Sequence, residues 1–126
     1  VNTIIHNYLQ YIQEGVFSGG YCKKQCKEYK NKIDFQICIK LCYIKINQER
    51  LKHEIFDIER RIHALDCTPK GVEAMRKQGQ AWWTIESCNK EKNELINDKK
   101  EAIAKSQAEI NKLKNEIVEL KKRKKG

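Results

Sequence analysis

Residues that break helices are scarce in this chain. Its 126 residues include one proline, Pro69, and six glycines. An all-β fold needs frequent turns, so this supply argues for long helices instead. Long apolar runs are also missing. The longest is a few residues, far too short to cross a membrane. No charged stretch followed by an apolar one opens the chain. Either Val1 is the first residue of a processed form or no signal existed; the first is the expectation, because the cysteines described below suit an oxidising compartment. Catalytic patterns are absent too. There is no phosphate loop, nucleophile elbow or metalloprotease helix. His6, His53 and His63 are scattered, with no carboxylate and nucleophile arranged around them. A thin helical bundle has little room for a concave pocket, so we expect no enzyme, no cofactor and no metal.

What is present is charge. Charged residues make up 34% of the chain and hydrophobic ones 40%, which predicts a thin, elongated core. The net charge is +9. Lys121, Lys122, Arg123, Lys124 and Lys125 supply five positive charges at the end. Residues 21–32 supply a net +4, from Lys23, Lys24, Lys27, Lys30 and Lys32 against Glu28. These two stretches account for the whole excess. Such surfaces recruit acidic proteins, glycosaminoglycans, anionic lipid or nucleic acid, or simply stay solvated.

Periodicity predicts an all-α fold. Ile5, Tyr8, Leu9, Ile12 and Val16 recur at helical spacing over residues 3–17, and Gly15 with Ser18-Gly19-Gly20 ends that helix in a hinge. A short helix over 21–30 follows, with a turn near Asn31 and Lys32 and Asp34 as N-cap of the next. That helix runs over 34–65. Its stripe is Ile37, Leu41, Ile44, Gln48, Leu51, Ile55, Ile58, Ile62 and Leu65, a heptad seam with a polar break at Gln48. Thr68-Pro69 reads as an N-cap with proline at the first helical position. The last helix runs to about residue 122. Ile96, Ile103, Ile110 and Ile117 recur every seven residues, with Leu113 and Leu120 between and Lys99 and Ser106 as weak points. The two long helices fold back as an antiparallel, coiled-coil-like pair, or the isoleucine seam drives a homo-oligomer. One elongated helical domain over 1–126 results: N-terminal helix and hinge (1–20), stapled hairpin and long helix (21–66), then bent helix and long C-terminal helix with its basic tail (67–126).

Six cysteines set the framework. Cys22 and Cys26 lie four apart on one helical face, and so do Cys38 and Cys42. In an antiparallel hairpin turning near residue 32, Cys26 comes opposite Cys38 and Cys22 opposite Cys42. Nested disulfides follow. Cys67 and Cys88 would sit ~30 Å apart along one straight helix. Their sulfurs meet only if the chain bends, and Gly79 between Gln78 and Gln80 is where we expect the bend. Zinc is the rival for the four hairpin sulfurs, although its usual ligand spacing is shorter and sits in loops. Thiol redox chemistry usually uses C-x-x-C, which is absent.

The stretch "YCKKQCKEYKNKIDFQICIKLC" resembles the α-hairpinins, small disulfide-stapled helical hairpins among plant defence peptides, protease inhibitors and scorpion toxins. That resemblance covers residues 21–42 and implies an extracellular binding role. The same motif, with "CIKLCYIKINQERL", is similar to that of the small translocase chaperones of the mitochondrial intermembrane space. Those chaperones usually have a longer segment between the pairs, and lack a third cysteine pair and a long coiled coil.

For contact surfaces, Tyr21, Lys23, Lys24, Lys27 and Tyr29 form an aromatic and basic group on the hairpin. Of the adjacent tryptophans, Trp82 falls in phase with Ile96 and is expected in the core, while Trp83 either packs against the short helix of residues 69–78 or the N-terminal helix, or stays partly exposed as an anchor. The terminal "KKRKKG" suggests a phosphate-binding arm, but the seven acidic residues from Glu91 to Glu119 dilute the preceding helix, so no specific nucleic acid is expected. The expected function is a secreted, disulfide-stabilised protein binder, effector- or toxin-like, with an acidic partner protein. A structural assembly component and a small intermembrane-space chaperone are the alternatives.

Overall fold

The structure, a computed structural model, describes residues 20–125. The helix expected over 3–17, most of the hinge after it and His6 lie outside the described residues. Four helices form among the described residues: α1 Gly20–Gln25, α2 Lys32–Ala64, α3 Pro69–Lys77 and α4 Ile85–Lys125. Three disulfides join them, so the fold is all-α and stapled.

α1 is shorter than the sequence suggested. It stops at Gln25, and the Tyr29 amide donates to the Cys26 carbonyl at 3.1 Å in the turn that follows. Asp34 is not the cap of α2. Asn31 caps it, its Oδ1 accepting from the Ile33 amide at 2.9 Å and the Asp34 amide at 3.3 Å. Asp34 instead stands in the first turn, where the helix dipole favours a carboxylate.

Two compact units divide the chain. One takes residues through His53 and from Lys105 on; the other is Glu54–Ala104. In the first, α2 and α4 run antiparallel: Asp34 pairs with Lys124 at 2.6 Å and Lys40 with Glu116 at 2.5 Å. Ile44, Ile110, Leu113 and Ile117 are its buried core, with Ile37 and Tyr43 packed against them. Leu120 is buried as well. Steps of three and four carry the α4 side of this core, as the heptad reading expected.

The α2 side is displaced from the expected seam. Leu41 is 54% exposed and Gln48 is exposed, while Lys40 is half-buried and Asn47 is buried. The cause is that α2 serves two neighbours. Cys38 and Cys42 must face α1, and Leu41 shares their side of the helix. The face toward α4 is thus Ile37, Lys40, Ile44 and Asn47. The two polar members are satisfied: Lys40 by Glu116, and Asn47 by the Tyr43 carbonyl at 3.0 Å and by Arg50 at 2.7 Å. Ser106 is buried with its hydroxyl unpartnered among the described residues.

The second unit is built around α3. Thr68 caps it, its Oγ1 accepting from the Gly71 amide at 3.1 Å, with Pro69 at the first position. Gly79 ends the bend with φ at 107°, a conformation that other residues rarely adopt, so the turn falls where the sequence placed it. The chain then turns through 81–84 before α4 starts at Ile85. Val72, Trp83 and Cys88 are buried together, with Leu65, Cys67 and Met75 against them. Here too α2 and α4 meet antiparallel, through Glu59 and Lys99 at 2.8 Å.

Trp82 is not in the core, and Trp83 is not an exposed anchor: it packs with Val72 and Met75 of α3, the other placement expected for it. Trp83 is 4% exposed and Trp82 is 68% exposed. Heptad phase does not reach them, because both precede α4. Trp83 is instead positioned by its turn: its amide donates to the Gln80 carbonyl at 3.0 Å, and the Trp83 carbonyl accepts from Arg76 Nε at 2.5 Å.

Candidate functional site

The α1–α2 hairpin is the most constrained surface in the first unit. Cys22–Cys42 and Cys26–Cys38 are nested as the spacing predicted, with Cα separations of 5.7 and 5.8 Å. Both distances fall in the ordinary disulfide range. Cys22 and Cys26 on α1 and its turn have no exposure, so the short segment is held down by two covalent links and their packing. A six-residue helix has no stability of its own in water, so the bridges hold it in place.

This hairpin presents two flanks. On one, Tyr21, Tyr29, Leu41 and Ile46 line a shallow groove with the Cys26–Cys38 bridge, Lys45, Glu28 and Glu49. Tyr29 is 47% exposed, and Leu41 is more so. On the other, Lys23 joins Phe35, Ile39, Leu120 and Arg123 around a second groove. Of the expected contact residues, Tyr21 and Tyr29 are thus brought together. Lys23 is turned away from them, and Lys24 and Lys27 are exposed. The sequence reading missed Leu41 as a groove residue, because the heptad seam assigned it to the core.

The C-terminal lysines also arrive here. Lys124 meets Asp34 at the start of α2, and Arg123 shares a groove with Lys23. The two basic stretches, distant in sequence, therefore meet at one end of this unit.

In the second unit, Cys67–Cys88 closes the loop that contains α3, with Cα atoms 5.5 Å apart. Trp83 belongs to the core of this loop, so the exposed aromatic is Trp82. Its ring stands edge-on to that of Trp83, centroids 5.4 Å apart, and Ile85 beside it is 42% exposed. Asp66 accepts from both the hydroxyl and the amide of Thr68, at 2.6 and 3.0 Å, and these bonds lower its pKa. The hydrogen bond and positive charge of Lys99 likewise lower the pKa of Glu59.

All six cysteines are bridged. Among the described residues, no group of His, Cys, Asp and Glu is placed to hold a metal ion, and no helix is long and apolar enough to cross a membrane. Of the isoleucines expected to drive assembly, Ile110 and Ile117 are buried against α2 of the same chain. Ile96 is half-buried and Ile103 is 36% exposed. No family description, curated protein or solved structure matches the chain.

Proposed function

We propose that the protein is a secreted, non-enzymatic helical binder that acts on a partner protein, in the manner of venom, salivary or parasite effectors. The doubly bridged hairpin is the observation that carries this reading. Disulfides persist in oxidising compartments and are rare in the reducing cytosol. Two of them on so short a segment fix Tyr21 and Tyr29 along one groove, with Lys24 and Lys27 exposed nearby. Rigid presentation lowers the ordering cost of binding. The lysines steer an acidic partner toward the hairpin and raise its association rate. The mechanism is steric: the hairpin occupies a surface that the partner needs. Trp82, exposed on a braced turn, is a second anchor of the same kind.

The test has two arms. The first counts free thiols in protein freshly recovered from its native source; free cysteines there remove the secreted assignment. The second screens the oxidised chain against a library of displayed extracellular domains. Support requires saturable one-to-one binding that weakens at least tenfold in Y29A/L41A, in K23E/K24E/K27E, and after reduction with alkylation. A partner indifferent to all three perturbations takes the hairpin out of the function.

A further inference from the structure

The whole positive excess of the chain lies in two stretches, net +4 over residues 21–32 and +5 over 121–125, of a total of +9. Nothing in the sequence says that they act together. Within the first unit, the antiparallel course of α2 and α4 returns the second stretch to the first. One contact fixes this: Lys124 Nζ lies 2.6 Å from Asp34 Oδ1. Lys23 of α1 and Arg123 of α4 also line one groove, which runs along α4 from Ala108 and includes the carboxylates of Glu116 and Glu119. Ten cations from three helices and one turn thus share one end of the unit. Among the described residues, ion pairs with carboxylates engage Lys124 with Asp34 and Lys122 with Glu119, the latter at 3.3 Å.

We infer that this end of the unit is a binding surface for a flexible sulfated polysaccharide. Geometry argues for a flexible chain. Residues 121–125 are consecutive on a helix, and each is turned about 100° from the last, so they ring the end of α4. Lys124 faces α2 and Arg123 faces the groove. No single plane gathers such a ring, so a flat bilayer or a rigid duplex meets only part of it. A flexible polyanion follows the ring and passes on to the hairpin lysines. Chemistry argues against a carboxylate polymer. Nine of the ten cations are lysine and one is arginine. Lysine is a point charge with three donors, whereas the planar arginine fork is the better match for carboxylates. A lysine-rich set suits tetrahedral oxyanions, phosphate as well as sulfate, and the extracellular setting selects sulfate. The choice of an extracellular polymer rests on the secreted reading above; the charge geometry does not.

Binding of the full-length oxidised protein to immobilised heparin tests this. The affinity is expected to fall steeply and linearly with the logarithm of salt concentration, as counterions are displaced. It is expected to exceed that for desulfated heparin, poly-glutamate, phosphatidylserine vesicles and duplex DNA at least tenfold at physiological salt. Neutralising either stretch, K23Q/K24Q/K27Q or K121Q/K122Q/R123Q/K125Q, should weaken heparin binding tenfold or more and reduce the salt slope. K90Q/K100Q, elsewhere on α4, should change it less than twofold, and circular dichroism confirms that each variant is folded. If either stretch can be neutralised without loss, the two do not form one surface and the inference fails. It fails equally if any of the other polyanions, or the vesicles, binds as tightly as heparin. Free thiols in the native protein would overturn the secreted reading while leaving the heparin result as measured.

Discussion

Removing the two hairpin bridges should cost more than the sum of removing each. Cys22–Cys42 spans 20 residues and Cys26–Cys38 spans 12, one inside the other. Taken alone, a 20-residue closure restricts the unfolded chain by ~3.3 kcal/mol and a 12-residue closure by ~2.8 kcal/mol. With the inner bridge in place, the outer one closes only the four residues on each side, a loop of about eight, worth ~2.5 kcal/mol. Closing the cycle gives ~5.3 kcal/mol for both bridges together and leaves ~2.0 kcal/mol for the inner one when the outer is intact. The single removals thus sum to ~4.5 kcal/mol, and the coupling is ~0.8 kcal/mol. Alanine is the replacement of choice, because Cys22 and Cys26 are fully buried and a serine hydroxyl would be stranded there. Urea unfolding followed by far-ultraviolet circular dichroism reads the effect. At an m-value of about 1.5 kcal/mol/M, losing both bridges moves the midpoint down by ~3.5 M, which leaves an ordinary domain barely folded. A double-bridge variant within ~0.5 kcal/mol of the parent, a margin typical of changes away from structural features, would show that the staples do not hold the hairpin. Strict additivity would refute the nested-loop account.

Three further outcomes follow from the second unit. Trp83→Ala should destabilise by ~3–5 kcal/mol, as large buried aromatics do, while Trp82→Ala should stay within ~0.5 kcal/mol; chemical denaturation of the pair decides, and equal effects would contradict the burial of one and exposure of the other. Gly71→Ala should cost ~1–3 kcal/mol by thermal or urea melting, because a Cβ there would stand 2.5 Å from the Asp66 carbonyl oxygen, and a neutral result would contradict that close approach. Lys99 lowers the pKa of Glu59, so the ionised form is favoured by folding; its small stabilisation is present above the ordinary carboxylate pKa and fades as pH falls through the lowered one. Glu59→Gln should therefore lower the melting temperature slightly at pH 7 and not at all near pH 2, where Glu59 is protonated in the folded and the unfolded chain alike, and a deficit that persists in acid would assign the effect to packing.

What could be read from the sequence follows from how local the deciding physics is. The hairpin pairing was legible because the i, i+4 rule on each helix and one turn position fix which sulfurs meet. The bend at Gly79 was legible for a similar reason: a bridge between Cys67 and Cys88 leaves the chain little other choice. Misreadings arose where a helix answers to more than one neighbour. Leu41 and Gln48 fit a heptad seam, yet α2 turns Lys40 and Asn47 toward α4, since the disulfide face is already committed to α1. A hydrophobic pattern cannot find Lys40, because its burial depends on Glu116, 76 positions away. Trp82 was misplaced for a different reason. Heptad phase was extended through residues that precede the helix, and in that turn Arg76 and the Gln80 carbonyl, not periodicity, decide which indole is covered. The basic end is the extreme case. Each stretch was plain in the sequence and each alone reads as a solvated surface. Only the antiparallel pairing of Asp34 with Lys124 makes them one, and that is why the charge of this protein is better understood as a place than as a total.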